Sequence, residues 1–213
     1  GHRLQGISID VPADISSAAF FLVGASIAPG SDLLLEHVGM NPTRTGVIDI
    51  LQRMGADITV LNQRAVGGEP VADLRVLSTR LRGIDIPPEL VPLAIDEFPV
   101  IFVAAACAQG RTLLTGAEEL RVKESDRIQV MADGLQTLGV NAQATPDGMI
   151  IDGGEIGAGR VDSHGDHRIA MAFAMAALRA RGAIEISDCA NVNTSFPGFV
   201  EQASRAGLQV EVL

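Results

Sequence analysis

One pattern constrains the fold of this chain more than any other: three apolar segments each begin at an Asp and end at a Gly. They run from Asp14 to Gly30, from Asp96 to Gly110 and from Asp166 to Gly182. Asp is favourable just before a helix and Gly just after one, so each segment predicts a single helix. Each is apolar around most of its circumference, which is typical of a helix buried on nearly all sides.

The same order of elements follows each segment: a strand-like run, a short polar loop, an amphipathic helix and a Gly-led strand. The loops are NPTRT at 41 to 45, RVKESDR at 121 to 127 and NTSFP at 193 to 197, and the last predicted strand is AGLQVEVL at 206 to 213. Ordinary alternation of helices and strands produces similar runs, but three matched copies favour duplication. The sequence therefore predicts an α/β fold built from a threefold repeat, with buried helices surrounded by sheets.

Composition narrows the function classes. The content is 47% hydrophobic and 20% charged, as in a globular protein, and the net charge of -10 disfavours a nucleic-acid partner. The two cysteines, Cys107 and Cys189, show no CxxC spacing, which favours free thiols in a reducing compartment. No apolar run approaches the roughly 18 residues of a membrane span, so a soluble, cytoplasmic protein is expected.

Two helix starts carry cations, although helix N-termini favour negative charge. RVKESDR packs five charged side chains into seven positions and places Arg127 in the first turn of its helix; Arg168 lies in the first turn of the helix that Asp166 begins. A bound carboxylate or phosphate would compensate for these cations. The alternative is structural salt bridges with Glu124, Asp126 or Asp166, and the residues alone leave both readings open.

Asp96 and Glu97 precede the second apolar helix. The sequence favours Asp96 as a helix cap, with Glu97 as a further favourable charge near the helix dipole. A carboxylate at the rim of an apolar wall is also typical of a general base. His164 and His167 lack a second cluster of ligands at helical spacing, so no metal site is expected.

Several stretches resemble, in order, the 5-enolpyruvylshikimate-3-phosphate (EPSP) synthase family. They are VPADISSAAFFLVGA, MNPTRTG with LQRMGADI, IDEFP, EELRVKESDR, GDHRIAMAF and TSFPGF, from about Ile9 to the end of the chain. The resemblance implies a two-domain fold in which each domain contains three βαβαββ-type copies, an inside-out α/β barrel with mixed sheets around buried helices. It places the active site in the cleft between the domains.

The resemblance also implies roles for residues. Asp96 matches the carboxylate that contacts the shikimate ring and takes the proton of the 5-hydroxyl, and Lys123 matches the lysine that contacts shikimate 3-phosphate near the reacting centre. Glu124 matches the acid/base that exchanges a proton at the methylene carbon of phosphoenolpyruvate. Arg127 and Arg168 match two arginines that hold phosphoenolpyruvate. Neither a cofactor nor a metal is implied.

His167 and Thr194 are implied as neighbours of the site. Thr194 departs from the pattern, since many members have Lys before the Ser/Thr-Phe-Pro stretch. One cation for phosphoenolpyruvate is then absent, and tolerance of the herbicide glyphosate is expected, in a protein whose family is the glyphosate target.

A second departure is that the family's N-terminal half is not in this chain. Residues 1–2 are interpreted as a tag remnant, residues 3–40 as the end of the N-terminal domain, and residues 41–213 as most of the C-terminal domain. The chain is then a fragment with about half of the site, inactive alone, whose partner is the rest of a parent protein expected to be a monomer. Two alternatives stay open: a UDP-N-acetylglucosamine enolpyruvyl transferase, and a non-catalytic binding or structural fragment. RNA 3′-phosphate cyclase shares the repeat architecture but is more distant, and the acidic charge balance disfavours it.

Overall fold

The structure, a computed structural model, describes residue 6 and residues 8–213, so the tag expected at residues 1–2 lies outside the described residues. The helices are α1 Ile15–Ile27, α2 Gly46–Arg53, α3 Phe98–Cys107, α4 Arg127–Thr137, α5 His167–Ala176, α6 Val192–Ser195 and α7 Phe199–Arg205. The strands are β1 Asp32–Gly39, β2 Asp57–Val66, β3 Glu69–Leu77, β4 Arg111–Leu114, β5 Asn141–Thr145, β6 Gly148–Asp152, β7 Gly159–Asp162 and β8 Ile184–Ser187. Among these described helices, none has the length and apolar character needed to cross a membrane.

The three Asp-to-Gly segments form the buried helices α1, α3 and α5, as predicted. Asp14 and Asp166 cap α1 and α5, because their carboxylates accept hydrogen bonds from the backbone N–H groups of Ser17 and Arg168. The three helices pack against one another in one hydrophobic core. Every residue of α1 except Ser17 is buried, which explains why the segment is apolar all round.

Two sheets share one topology. β1, β3 and β2 form an antiparallel sheet in that order, and β4, β6 and β5 form a second one with the same order. In each copy the chain before the buried helix also pairs in parallel with the strand after it: Ala13 bridges Val38, Asp85 bridges Leu113, and β7 pairs with β8. This topology confirms the predicted α/β repeat and gives the order βαβαββ in the first two copies.

The third copy contains fewer strands. β8 pairs with β7 on one side, and within residues 8–213 no strand lies on its other side, where β1 has β3 and β4 has β6. The strand predicted at 206 to 213 is wrong for this structure. Its counterparts β2 and β5 pair with β3 and β6, and within residues 8–213 the third copy has no such strand to supply the backbone hydrogen bonds. The loop predicted at 193 to 197 also differs, since α6 occupies part of it.

The packing shows no break at the domain border expected between residues 40 and 41. β1 pairs with β3 along its length, and α1 lies in the same core as α3 and α5. The described residues on the two sides of that border therefore form one structural unit. The NPTRT loop at 41 to 45 is a short connection between β1 and α2 within this unit.

Candidate active site

The N-terminal turns of the buried helices meet at one end of the core. Ser16 in α1 donates a hydrogen bond to the carboxylate of Glu97, which directly precedes α3. Arg168 in the first turn of α5 donates from Nη1 to the backbone oxygen of Asp96, 3.0 Å away. The first residue of α4 bonds to the cap of α5. Because free N–H groups at helix starts carry partial positive charge, this end of the core favours negative groups.

Arg127 is a buried guanidinium, with 1% of its surface exposed. Its Nε donates to Asp166 at 2.8 Å, its Nη1 to Asp96 at 3.3 Å, and its Nη2 to Glu124 at 2.5 Å. A buried cation without such partners costs several kcal/mol, so the three carboxylates make this position stable. The salt-bridge reading therefore describes Arg127 in this structure, with Asp96 as a partner that the sequence did not predict.

Asp96 does not cap α3, so the favoured sequence interpretation was wrong. Asp96 lies inside the 3₁₀ turn Ile95–Glu97, which continues into α3, whereas a capping residue has non-helical backbone angles just before the helix. Its carboxylate instead lies 3.3 Å from both Lys123 and Arg127. Burial pushes the pKa of Asp96 upward, but the nearby cations, Arg168 first among them, outweigh burial and hold that pKa below its usual value.

Lys123 and Glu124 lie just before α4. The Nζ of Lys123 binds Glu119 at 2.5 Å as well as Asp96, and the hydrogen bond to Glu119 is the main reason that the pKa of Lys123 is raised. The side chain of Glu124 is 50% exposed and contacts Arg127. A carboxylate open to solvent thus lies in a cluster with two cations and a second carboxylate.

The other two charges of RVKESDR have structural partners. Arg121 binds Asp126 at 2.6 Å and donates to the backbone oxygens of Thr145 and Pro146. Asp126 also caps α4. These contacts hold the loop against β5, so only part of the charge density in this loop faces the cluster.

Arg168 binds the protein through one nitrogen of its guanidinium. Nη1 donates to the backbone oxygen of Asp96 at 3.0 Å and to Oε1 of Glu97 at 3.4 Å. Within the described chain, Nε and Nη2 of Arg168 make no hydrogen bond to protein, whereas Arg127 uses all three of its nitrogens. A free Nε/Nη2 edge is the planar fork that suits a carboxylate or a phosphate.

His167 and Thr194 differ in their relation to this cluster. His167 lies in the first turn of α5, and burial lowers its pKa; two neighbouring arginines act in the same direction, against two neighbouring carboxylates. A neutral imidazole at neutral pH follows. Thr194 lies exposed in α6, and in the part of the chain that the structure describes no hydrogen bond joins it to the cluster.

Two further carboxylates belong to the cluster, and of these the sequence had indicated only Asp166 as a salt-bridge partner. Asp166 is 0% exposed, caps α5 and also accepts from Arg127 and Ser125. Glu97 is 5% exposed and ion-paired with Arg168, where the sequence indicated only a favourable charge at a helix start. The signal in the sequence was the pair of adjacent acids, Asp96 and Glu97, before an all-apolar helix. The burial of Glu97 could not be predicted, because it depends on Ser16 and Arg168 in the other copies of the repeat.

The arrangement combines anion-binding and proton-transfer groups without metal ligands. Asp96 and Glu124 can each hold a proton, and Lys123, Arg127 and Arg168 surround them with positive charge. Over residues 8–213 no group of three or more His, Cys, Asp or Glu side chains is placed to hold a metal ion.

Comparison with known proteins identifies relatives of the whole chain. A sequence model of EPSP synthase (3-phosphoshikimate 1-carboxyvinyltransferase) matches residues 1–203. The chain is 77% identical, over 98% of its length, to a 3-phosphoshikimate 1-carboxyvinyltransferase of Alkalilimnicola ehrlichii, and 69% identical over its full length to that of Methylococcus capsulatus. It spans 47% and 48% of those two proteins, so it is about half as long as these curated relatives.

Solved structures agree with these matches. An EPSP synthase from Acinetobacter baumannii superimposes with a TM-score of 0.95 at 59% identity, covering 99% of this chain and 49% of that one. The enolpyruvyl transferase NikO from Streptomyces tendae, at 17% identity, a TM-score of 0.72, and covering 94% of this chain and 44% of that one, shares the fold. The family match covers well over half of the residues, and the converging helix starts carry the RVKESDR and DHR motifs at one cluster. The chain therefore belongs to the EPSP synthase family.

Proposed function

We propose that the protein of which this chain forms about half transfers the enolpyruvyl group of phosphoenolpyruvate to the 5-hydroxyl of shikimate 3-phosphate, releasing phosphate. The observation that carries this proposal is the cluster in which Asp96 and Glu124 share one buried guanidinium, that of Arg127. The reaction adds an alcohol to an enol ester and then eliminates phosphate. It requires two groups that transfer protons and nearby cations that stabilise negative charge, and this cluster provides both.

The proton transfers are assigned as follows. The Asp96 carboxylate accepts the proton of the 5-hydroxyl while that oxygen bonds to C2 of phosphoenolpyruvate, and protonated Glu124 gives its proton to C3. In the second half of the reaction the Glu124 carboxylate removes a proton from C3, the C2–C3 double bond forms again as the C2–O bond to phosphate breaks, and Asp96 gives the hydroxyl proton to the departing phosphate. The exposure of Glu124 allows it to exchange protons with solvent, and Lys123 beside Asp96 stabilises negative charge near the hydroxyl.

Anion binding is assigned to the arginines. Arg168 offers a free guanidinium edge, whereas Arg127 must exchange one carboxylate partner for a ligand oxygen. Glu124 is the most exposed of its three partners, so it is the partner that a ligand displaces most readily. His167, neutral at neutral pH, contributes a hydrogen bond and no charge.

The domain assignment is also a proposal. The preceding half of the protein supplies the opposite wall of the cleft, and the border to this half lies before α1, because α1 and β1 belong to the described core. The chain alone then holds half of a site, and we expect negligible turnover from it.

The test is reconstitution. This chain is mixed with the preceding half of the Alkalilimnicola ehrlichii relative, and phosphate release is measured with both substrates present. We expect turnover from the mixture and none from either half alone. Glu124→Gln lowers the rate of the mixture by about 10²-fold or more, while the exposed Glu118→Gln leaves the rate near that of the unsubstituted mixture. A folded mixture without turnover, or equal rates for the two variants, would refute the assignment.

Tolerance of glyphosate is proposed from the absence of a cation at Thr194. The reconstituted enzyme and its Thr194→Lys variant are titrated with the inhibitor, and we expect the variant to be inhibited at lower concentration. Equal inhibition of both would show that this position does not set the sensitivity.

A further inference from the structure

A buried carboxylate that the proposed reaction does not use lies at the start of α3. Glu97 directly precedes α3 and is 5% exposed. It occupies the N-cap position of α3, but its side chain accepts no bond from the N–H groups of that helix. A carboxylate this deeply buried persists only with hydrogen-bonded partners, so its partners indicate what it does.

The partners of Glu97 come from two other helices. Ser16 of α1 donates its hydroxyl to Oε1, and Nη1 of Arg168 in α5 lies 3.4 Å from the same oxygen. Nη2 of Arg44, just before α2, donates to the Ser16 hydroxyl at 2.6 Å and lies 3.3 Å from Asp14. The result is a chain of groups, Arg44–Ser16–Glu97–Arg168, that crosses the first turns of α1, α3 and α5.

The contacts at Arg168 indicate what this chain of groups does. Glu97 and the backbone oxygen of Asp96 both engage Nη1, which fixes the plane of the guanidinium. Nε and Nη2 make no bond to the described protein and form the edge that a carboxylate or phosphate takes bidentately. A long side chain held in one orientation loses less entropy when it binds a ligand.

We propose that Glu97 is a positioning residue: it orients Arg168 toward an anionic substrate, and Ser16 and Arg44 hold Glu97 in place. The inference rests on the proposed function only in naming phosphoenolpyruvate as that anion. The charged groups that face Glu97 are Arg168 from α5, Arg44 from the segment before α2 and Asp96 from its own turn.

The first test observes Arg168 without any ligand. This chain is labelled at arginine nitrogen, and the guanidinium N–H signal of Arg168 is followed by NMR in the unsubstituted chain and in Glu97→Ala, Glu97→Gln and the exposed control Glu118→Ala. We expect a dispersed signal in the unsubstituted chain and in the control, its collapse toward the position of free arginine in Glu97→Ala, and its retention in Glu97→Gln, which keeps an acceptor oxygen. A signal unchanged in Glu97→Ala would overturn the proposal.

The second test measures what the orientation contributes to binding. In the protein reconstituted with its preceding half, we expect Glu97→Ala to raise the KM for phosphoenolpyruvate about tenfold with a smaller effect on kcat, and Glu97→Gln to restore KM to within about threefold. A purely structural role would lower the melting temperature and leave KM and the Arg168 signal unchanged, which would also overturn the proposal. If the unsubstituted protein shows no turnover, the proposed function fails, while the ligand-free NMR test still decides the role of Glu97.

Discussion

Two aspartates precede helices that begin near an arginine, and their side chains meet very different surroundings. Asp166 is 0% exposed and its Oδ2 accepts from Arg127 and Ser125, while its Oδ1 caps α5. Asp126 caps α4 and forms a partly exposed ion pair with Arg121. Both caps can be replaced by Asn with little loss of capping, so substitution isolates the charge.

We expect Asp166→Asn to destabilise the fold by about 2 kcal/mol or more, because the buried guanidinium of Arg127 loses one of its three carboxylates and meets an amide N–H group instead. The matched Asp126→Asn variant is expected to cost less, about 1 kcal/mol, since its ion pair is partly exposed whereas that of Asp166 is fully buried. Urea unfolding of both variants measures the difference. Equal losses would mean that the Arg127 cluster contributes little to stability.

Glu97 makes stability depend on pH. Burial raises its pKa above the ordinary value of 4.5, although Ser16 and Arg168 oppose the shift. Between the ordinary and the raised pKa the folded protein holds more protons than the unfolded chain, so this residue lowers the free energy of unfolding as the pH rises through that window. Glu97→Gln cannot titrate.

We therefore expect Glu97→Gln to gain stability relative to the unsubstituted chain as the pH rises from about 4 to about 7. Urea unfolding at several pH values gives the difference, and Glu118→Gln controls for the loss of one negative charge at the surface. A difference independent of pH, or one that grows in the opposite direction, contradicts the raised pKa.

At the scale of helices, Gly134 shows why a residue unfavourable to helices occurs inside α4. A Cβ atom at this position would lie 2.3 Å from Cζ of Phe173 in α5, so only glycine permits the observed approach of the two helices. At Gly24 in α1 the nearest atom to a new Cβ is Sδ of Met175, at 2.9 Å, and a methionine side chain can move aside.

We expect Gly134→Ala to destabilise the fold by about 1–3 kcal/mol, since overpacking against a buried ring outweighs the gain in helix propensity of up to about 1 kcal/mol. Gly24→Ala is the matched control and should cost less. Thermal unfolding compares the two; a stabilised Gly134→Ala variant would show that α4 and α5 are packed less tightly than described.

At the scale of sheets, the three copies differ in the pairing of the strand that follows the buried helix, which is β1, β4 or β8. β1 and β4 have neighbours on both sides, while in the described residues β8 has only β7. We expect the backbone amides of β8 that point away from β7 to exchange with solvent faster than those of β4, because they lack strand partners. Hydrogen exchange followed by NMR measures this directly. Equal protection in both strands would indicate a pairing partner for β8, such as a second copy of the chain.

The sequence predicted elements well where their cause was local. The Asp and Gly boundaries specified α1 and α5, and the repeat specified the order of helices and strands along the chain in two copies. It failed where the cause was distant. The strand at 206 to 213 depended on a counterpart of β3 or β6, which the described part of the third copy lacks. Asp96 was explained as a cap because its partners, Lys123 and Arg127, lie about thirty residues along the chain. Motif resemblance identified which residues belong to the site, but not that Arg127 is already bound by three carboxylates.

For the molecule as a whole, the repeat and the site are consequences of one arrangement. Three similar helices pack side by side with their starts at the same end, so their partial positive charges add there. A chain with a net charge of -10 can thus gather Lys123, Arg127 and Arg168 at one place where an anion would bind. The acids Asp96, Glu97, Glu124 and Asp166 balance this charge in the structure described, and they are also the groups that would exchange protons or orient arginines.

The same arrangement predicts where the chain can be shortened. Because α1 is part of the core, a chain that begins at residue 12 keeps all three buried helices and the Ala13–Val38 bridge, whereas a chain that begins at residue 41 loses α1 and β1. Large side chains of α1 such as Phe20, Leu22 and Val23 are at most 3% exposed. Their burial contributes about 1.5–3 kcal/mol each, and the sum is comparable with the total stability of a typical domain, about 5–15 kcal/mol.

We therefore expect the chain from residue 12 to unfold cooperatively, within a few degrees of the full chain, and the chain from residue 41 to lack a cooperative transition. Circular dichroism and calorimetry of the two truncated chains provide the measurement. Cooperative unfolding of the shorter chain near the temperature of the full one would place the domain border after β1, as the sequence first indicated. Loss of folding only in the shorter chain would instead place α1 and β1 with the half of the protein that carries Asp96, Glu124 and Arg127.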